Sequence, residues 1–149
     1  IAPLGGDNLV LVYRPRTLTA SQTAVSLSAG GSVSLSIDAS PSHGGEAYLV
    51  VCSTTGTYPG TSVGSIRIPI LVDSFTFAAL TVVNSPVLAN FAGFLDANGE
   101  ATATVAVPPG AFTDPALVGL TINFADVILN PTMTGVQVSS NPVSLTLLP

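Results

Sequence analysis

Phe91-Ala92-Gly93-Phe94-Leu95-Asp96-Ala97-Asn98-Gly99-Glu100-Ala101-Thr102-Ala103-Thr104-Val105-Ala106-Val107 is the stretch whose reading decides the fold. Its second half puts Ala101, Ala103, Val105 and Val107 on one side and Thr102 and Thr104 on the other, the period of two of a half-covered strand. Between the two apolar runs stands Asp-Ala-Asn-Gly, where Asp opens a turn by accepting main-chain N–H groups and Asn or Gly tolerates positive φ. The stretch predicts a β-hairpin with a loop of about three to five residues.

The same period runs outward in both directions. Residues 23–28 alternate, Gly30-Gly31 break the pattern, and residues 32–38 set Val33, Leu35 and Ile37 on one face and serines on the other. Residues 46–53 are apolar at nearly every position, which predicts a strand covered on both faces, in the middle of a sandwich or against a neighbouring subunit. Gly56, Pro59 and Gly60 mark a loop. Residues 66–72 form a β-branched run whose Pro69 demands an edge or a bulge, and residues 75–83 read as another strand. Pro108-Pro109-Gly110 ends the central hairpin, and Asp114-Pro115-Ala116-Leu117 predicts one helical turn with Asp114 as its cap. Strands return at 119–129 and 136–148, interrupted by Asn130-Pro131 and Asn141-Pro142. No window carries a 3.6-residue period between helix caps. About eight to ten short strands with regular turn signals predict an all-β, antiparallel β-sandwich, immunoglobulin-like or jelly-roll-like.

The length, 149 residues, fits one domain. Residues 21–149 read as the sandwich and residues 1–20 as an arm. Leu9, Val10, Leu11, Val12 and Tyr13 are apolar on both faces of any strand they form, so the arm needs a cover. That cover is either its own sandwich or the edge of a second copy, by strand addition between chains.

Only 7% of residues are charged against 47% hydrophobic, so Ser, Thr, Asn and Gly must dress the surface. Lys is absent, the three cations are Arg14, Arg16 and Arg67, and the net charge is -5, which excludes a nucleic-acid footprint and a polybasic membrane patch. Mean hydropathy is +0.63, yet no apolar run approaches the roughly 20 residues of a membrane-spanning helix. The sequence begins at Ile1 with no leader-like segment, and the expectation is an exported, processed chain at the cell surface or outside a bacterial cell.

Few residues are available for site chemistry, and the expectation is a non-enzymatic protein with no cofactor and no metal. A Cys-His nucleophile pair would have to be built from His43 and Cys52. His43 reads as a solvated loop histidine, and Cys52, lone and flanked by apolar residues, as a buried inert thiol that forms no internal disulfide. Two such ligands are too few for a structural zinc site. Asp96, Asn98 and Glu100 could offer oxygen ligands to calcium, but hairpin geometry accounts for them and the later acidic ligand of a calcium loop is missing. A sugar needs an aromatic platform, and with Trp absent the candidate is Tyr58, in the loop of residues 56–60, whose competing reading is an anchor packed on the sandwich rim. No Asn-x-Ser/Thr acceptor is present, because Asn130 precedes Pro131.

From about residue 23 onward the chain resembles a family of uncharacterised β-sandwich domains in exported and cell-surface proteins of planctomycetes and related environmental bacteria. The resemblance rests on Ser26-Leu27-Ser28-Ala29-Gly30-Gly31, Ser34-Leu35-Ser36-Ile37-Asp38-Ala39, Ala47-Tyr48-Leu49-Val50 and Gly56-Thr57-Tyr58-Pro59-Gly60. It continues in the segment from Leu95 to Ala103, in Pro115-Ala116-Leu117-Val118-Gly119 and in Ser140-Asn141-Pro142-Val143-Ser144-Leu145-Thr146-Leu147. These are turn and core patterns; they imply a fold and a secreted setting and carry over no catalytic residue. Cys52 stands where the resemblance leads one to expect a small residue such as Gly. The functional expectation is a structural subunit of an extracellular fibre, appendage or surface layer, assembled from copies of itself. The alternative is a carbohydrate-binding or adhesion module.

Overall fold

The computed structural model describes residues 17–149. They form β1 (Thr17–Ala20), β2 (Ala24–Ser26), β3 (Gly31–Asp38), β4 (Ala47–Ser53), β5 (Thr61–Val63), β6 (Ile66–Ile68), helix α1 (Ser74–Leu80), β7 (Leu88–Ala89), β8 (Ala92–Phe94), β9 (Glu100–Val107), β10 (Thr121–Leu129), β11 (Val136–Ser139) and β12 (Val143–Leu148). One sheet has the order β1-β3-β9-β7, and the other has β2-β12-β10-β4-β8 with β11 also on β10. The pairings are antiparallel except β2 on β12, which is parallel. The result is the expected all-β sandwich, with twelve strands among the described residues where eight to ten were predicted for the chain.

The inward faces meet where period-two patterning puts apolar side chains. Leu18, Val33, Leu35 and Ile37 come from one sheet and Val50, Phe124 and Leu145 from the other, all buried. Phe91 meets Phe124 edge to face, with ring centroids 6.0 Å apart and planes at 73°. The apolar reading of residues 46–53 is met within the chain. While Tyr48, Val50 and Cys52 face the main core, Val51 on the outer face joins Ala125 and Val127 beneath Ile68 and Ile70. The cover on the second face is thus the separate β5–β6 hairpin, not a neighbouring subunit. That hairpin also corrects the long strand predicted over 66–72: β6 stops at Ile68, before Pro69, whose missing N–H cannot extend a ladder.

The central stretch turns as predicted but does not pair as predicted. Asp96 N–H donates to the Glu100 carbonyl at 2.9 Å, closing the turn. The flanking strands then part: β8 pairs with β4 in one sheet and β9 with β3 in the other. The stretch is an arch over the core rather than a hairpin, because buried Leu95 donates its N–H to the Glu46 carbonyl, which commits the first limb to the β4 sheet. Gly99 has φ +75°, and a Cβ there would lie 1.8 Å from the Ser40 carbonyl oxygen, so only glycine lets the arch close.

Residues 75–83 do not continue as a strand; residues 74–80 are helical. Asp73 accepts the Thr76 N–H and the Thr76 hydroxyl accepts the Asp73 N–H, a capping box that nucleates a helix too short to show a period. The predicted turn at Asp114 is present as a 3-10 turn over Pro115–Leu117, with the Asp114 carboxylate accepting the Ala116 N–H. Residues 17–20, grouped with the arm on sequence, form the edge strand β1 of the sandwich. Leu9, Val10, Leu11, Val12 and Tyr13 lie outside the described residues.

Candidate functional site

The two sheets leave an apolar cavity of about 240 Å³ at one end of the sandwich. Phe75, Ala78, Ala79 and Val82 form one wall, on α1 and the turn after it. Val105 and Val107 of β9 and Ile122 and Phe124 of β10 form the floor, and Phe112, Leu117 and Leu120 of the 108–120 connection close the far side. Cys52 is its one lining residue that is not a plain hydrocarbon side chain, so a ligand there meets dispersion and desolvation and almost no hydrogen bonding. The cavity is open: Val82 is 47% and Phe112 37% exposed at its mouth. Phe77 and Val118, on elements that frame the same end, are exposed too.

A carboxylate holds the α1 wall in place. Asp73 Oδ2 accepts the Thr54 N–H at 3.0 Å, the Thr54 hydroxyl at 3.1 Å and the Thr55 hydroxyl at 2.7 Å, while Oδ1 accepts the Thr76 N–H at 2.9 Å. The Thr76 hydroxyl in turn donates to the Cys52 carbonyl at 2.7 Å, tying the first turn of α1 to β4. Partial desolvation raises the Asp73 pKa, but the bonds from Thr55, Thr76 and Thr54 outweigh it and hold the carboxyl well below the usual carboxylate range. With its oxygens engaged by this set, Asp73 works as a clasp rather than a general base. The signal for it was legible as Asp-Ser-Phe-Thr before an Ala-rich run, and the strand reading of 75–83 obscured it.

Cys52 is 2% exposed, and burial, followed by the charge of Asp73, pushes its thiol up to about 12. It is a neutral wall group, as the sequence reading held. His43 lies in the 3-10 turn Pro41–His43 before the other end of β4, and Ala47 to Cys52 alone spans about 17 Å at ~3.3 Å per residue, so His43 and Cys52 form no pair. His43 is also not a freely solvated histidine: its Nδ1 lies 2.7 Å from Glu46 Oε1, which accepts Gln137 Nε2 at 3.0 Å as well. Asp96 spends Oδ1 on the Asn98 and Glu100 N–H groups at 2.8 and 2.9 Å, the turn role proposed over calcium. Among the described residues no three His, Cys, Asp or Glu side chains converge as metal ligands. Tyr58 is 88% exposed, so the rim-anchor reading fails and its ring presents both faces to solvent.

No protein-family model matches the chain, and no curated protein matches it. Among solved structures, the sixth cohesin of scaffoldin B from Acetivibrio cellulolyticus, solved in complex with a Cel5 dockerin mutant, is similar at 12% identity and a TM-score of 0.39. The similarity covers 90% of this chain and 99% of that one. The architecture above rests on this chain's own strand pairing. Among the described residues no helix is long and apolar enough to cross a membrane.

Proposed function

We propose that this chain is a non-enzymatic structural subunit of an extracellular or cell-surface assembly built from its own copies. The observation that carries the reading is the open apolar cavity with Val82 and Phe112 exposed at its mouth and Phe77 and Val118 exposed on the same end. Apolar surface gathered at one pole marks a contact for another molecule. The titratable groups support the same reading by their employment: Asp73, Asp96 and Asp114 hold turns and helix starts, and His43 and Glu46 hold each other. Low charge, one buried cysteine and absent lysine favour a secreted setting. The test is light scattering and negative-stain electron microscopy of the full chain. Filaments, sheets or defined multimers are expected, and a monodisperse particle of 14.9 kDa at high concentration overturns the reading.

The exposure of Tyr58 favours a second reading, a glycan-binding or adhesion module in which the ring stacks on a sugar face. It predicts a monomer retained on a polysaccharide column, with retention lost in Tyr58→Ala.

A further inference from the structure

We infer that the apolar cavity is the acceptor site for residues 9–13 of a second copy, joining subunits head to tail; this rests on the self-assembly reading above. The argument begins with where the chain enters the sandwich. Thr17 pairs with Asp38, and Asp38 pairs with Glu100, so residues 1–16 attach at the pole of the Asp96 arch. The cavity lies at the other pole, lined by Val105 and Val107 near the far end of β9. The attachment point of the donor arm and the acceptor therefore sit at opposite ends of one molecule, and a contact between the arm of one copy and the cavity of the next is heterologous and propagates without closing on itself.

Reach separates a neighbour's arm from the chain's own. From Thr17 the near wall of the cavity at Val105 is about 17 Å along the strands and about 10 Å across two strand spacings, roughly 20 Å in all. At no more than ~3.6 Å per residue, Tyr13 reaches about 14 Å and Val12 about 18 Å from Thr17. Leu11, Val10 and Leu9 reach about 22, 25 and 29 Å at the same limit, so the chain's own arm can bring only those three to the cavity and leaves Val12 and Tyr13 short of it, whereas the arm of another molecule can present residues 9–13 together.

The chemistry of the two parts matches. Leu9, Val10, Leu11 and Val12 supply hydrocarbon alone, and the cavity wall asks for nothing else. A cavity of about 150 Å³ admits a benzene-sized group, so 240 Å³ accommodates more than one aliphatic side chain from the face of an extended segment.

The test is photo-crosslinking of the full chain with p-benzoylphenylalanine in place of Leu11, using mixed unlabelled and 15N-labelled protein so that contacts between copies are told from contacts within one. Crosslinks from position 11 to residues 75–82 or 105–124 of another copy are expected, and a ladder of multimers with them. Ala78→Phe, which fills the cavity from an exposed position of α1 on its lining, is expected to abolish that ladder with the thermal unfolding midpoint unchanged. Leu11→Asp, in the arm itself, is expected to abolish it too. Multimers whose crosslinks map elsewhere overturn the acceptor site and leave the assembly reading standing. Crosslinks confined to one copy, or a small hydrophobe found in the cavity by native mass spectrometry without crosslinks, overturn the acceptor site as well. A protein that stays monomeric at high concentration overturns both.

Discussion

Replacing Asp73 by asparagine keeps the size of the side chain and turns one acceptor oxygen into a donor. Oδ2 now receives the Thr54 N–H and the Thr54 and Thr55 hydroxyls, so an amide nitrogen there faces donors it cannot satisfy. Hydrogen bonds to a charged acceptor contribute roughly 1.5–3 kcal/mol each when sheltered. Asp73 is half-buried, its hydroxyl partners can rotate, and water reaches the site, so the sum is discounted to a net loss of about 2 kcal/mol. The remaining oxygen keeps the Thr76 N–H bond, which preserves the helix cap.

The sign of the pH dependence follows from the direction of the shift. Asp73 is held below its unfolded value of about 3.9, so its stabilisation is complete above that value and is lost as pH falls below about 4 toward the folded-state value. Urea denaturation of wild type and Asp73→Asn at pH 7 and pH 2.5 is the assay. A gap of about 2 kcal/mol at pH 7 that narrows at pH 2.5 is expected, because below about 4 the unfolded wild type takes up a proton at Asp73 that the folded protein does not, and the amide variant has no such proton to take up. A gap below about 0.5 kcal/mol at pH 7, or one unchanged by acid, would refute the clasp.

Gly99→Ala forces a side chain to within 1.8 Å of the Ser40 carbonyl at φ +75°, and a loss above about 2 kcal/mol in chemical denaturation is expected. Phe124→Ala empties the position of a fully buried ring that meets Phe91 edge to face and should cost about 3–5 kcal/mol by the same measurement. Cys52 should resist Ellman's reagent in the native protein at pH 8 and react fully in guanidinium, since its thiol is buried and raised to about 12; rapid native labelling would contradict the buried-wall role. Tyr58→Ala should leave stability within about 0.5 kcal/mol of wild type in thermal unfolding, as a ring this exposed stabilises nothing within the chain.

The elements that patterning located are those whose neighbours do not alter the pattern. Serines alternating with Val33, Leu35 and Ile37 report a single wet face, and β3 runs one residue beyond the predicted start. The arch of 91–107 defeated the same logic, because the local turn chemistry of Asp96 and Gly99 is identical whether the flanking strands pair with each other or with β4 and β3. Pairing partners are set by long-range contacts such as Leu95 N–H on the Glu46 carbonyl, which no window of sequence contains. The apolar run of 46–53 was legible as doubly covered but silent about the cover, and the answer lay about fifteen residues away in Ile68 and Ile70.

The misreading of 75–83 matters most for function. As a strand it would have put Phe75 and Phe77 on one face; as a helix it sends Phe75 into the cavity and leaves Phe77 exposed. The helix makes no ladder; it is held by the Asp73 clasp and by Thr76 on the Cys52 carbonyl, and it lies as a lid along one wall while the cavity stays open beside it. The capping box thus sets one wall of the opening. Two short polar residues three apart turn an apolar run into a wall, and the wall leaves one pole of a sparsely charged protein with hydrocarbon to cover.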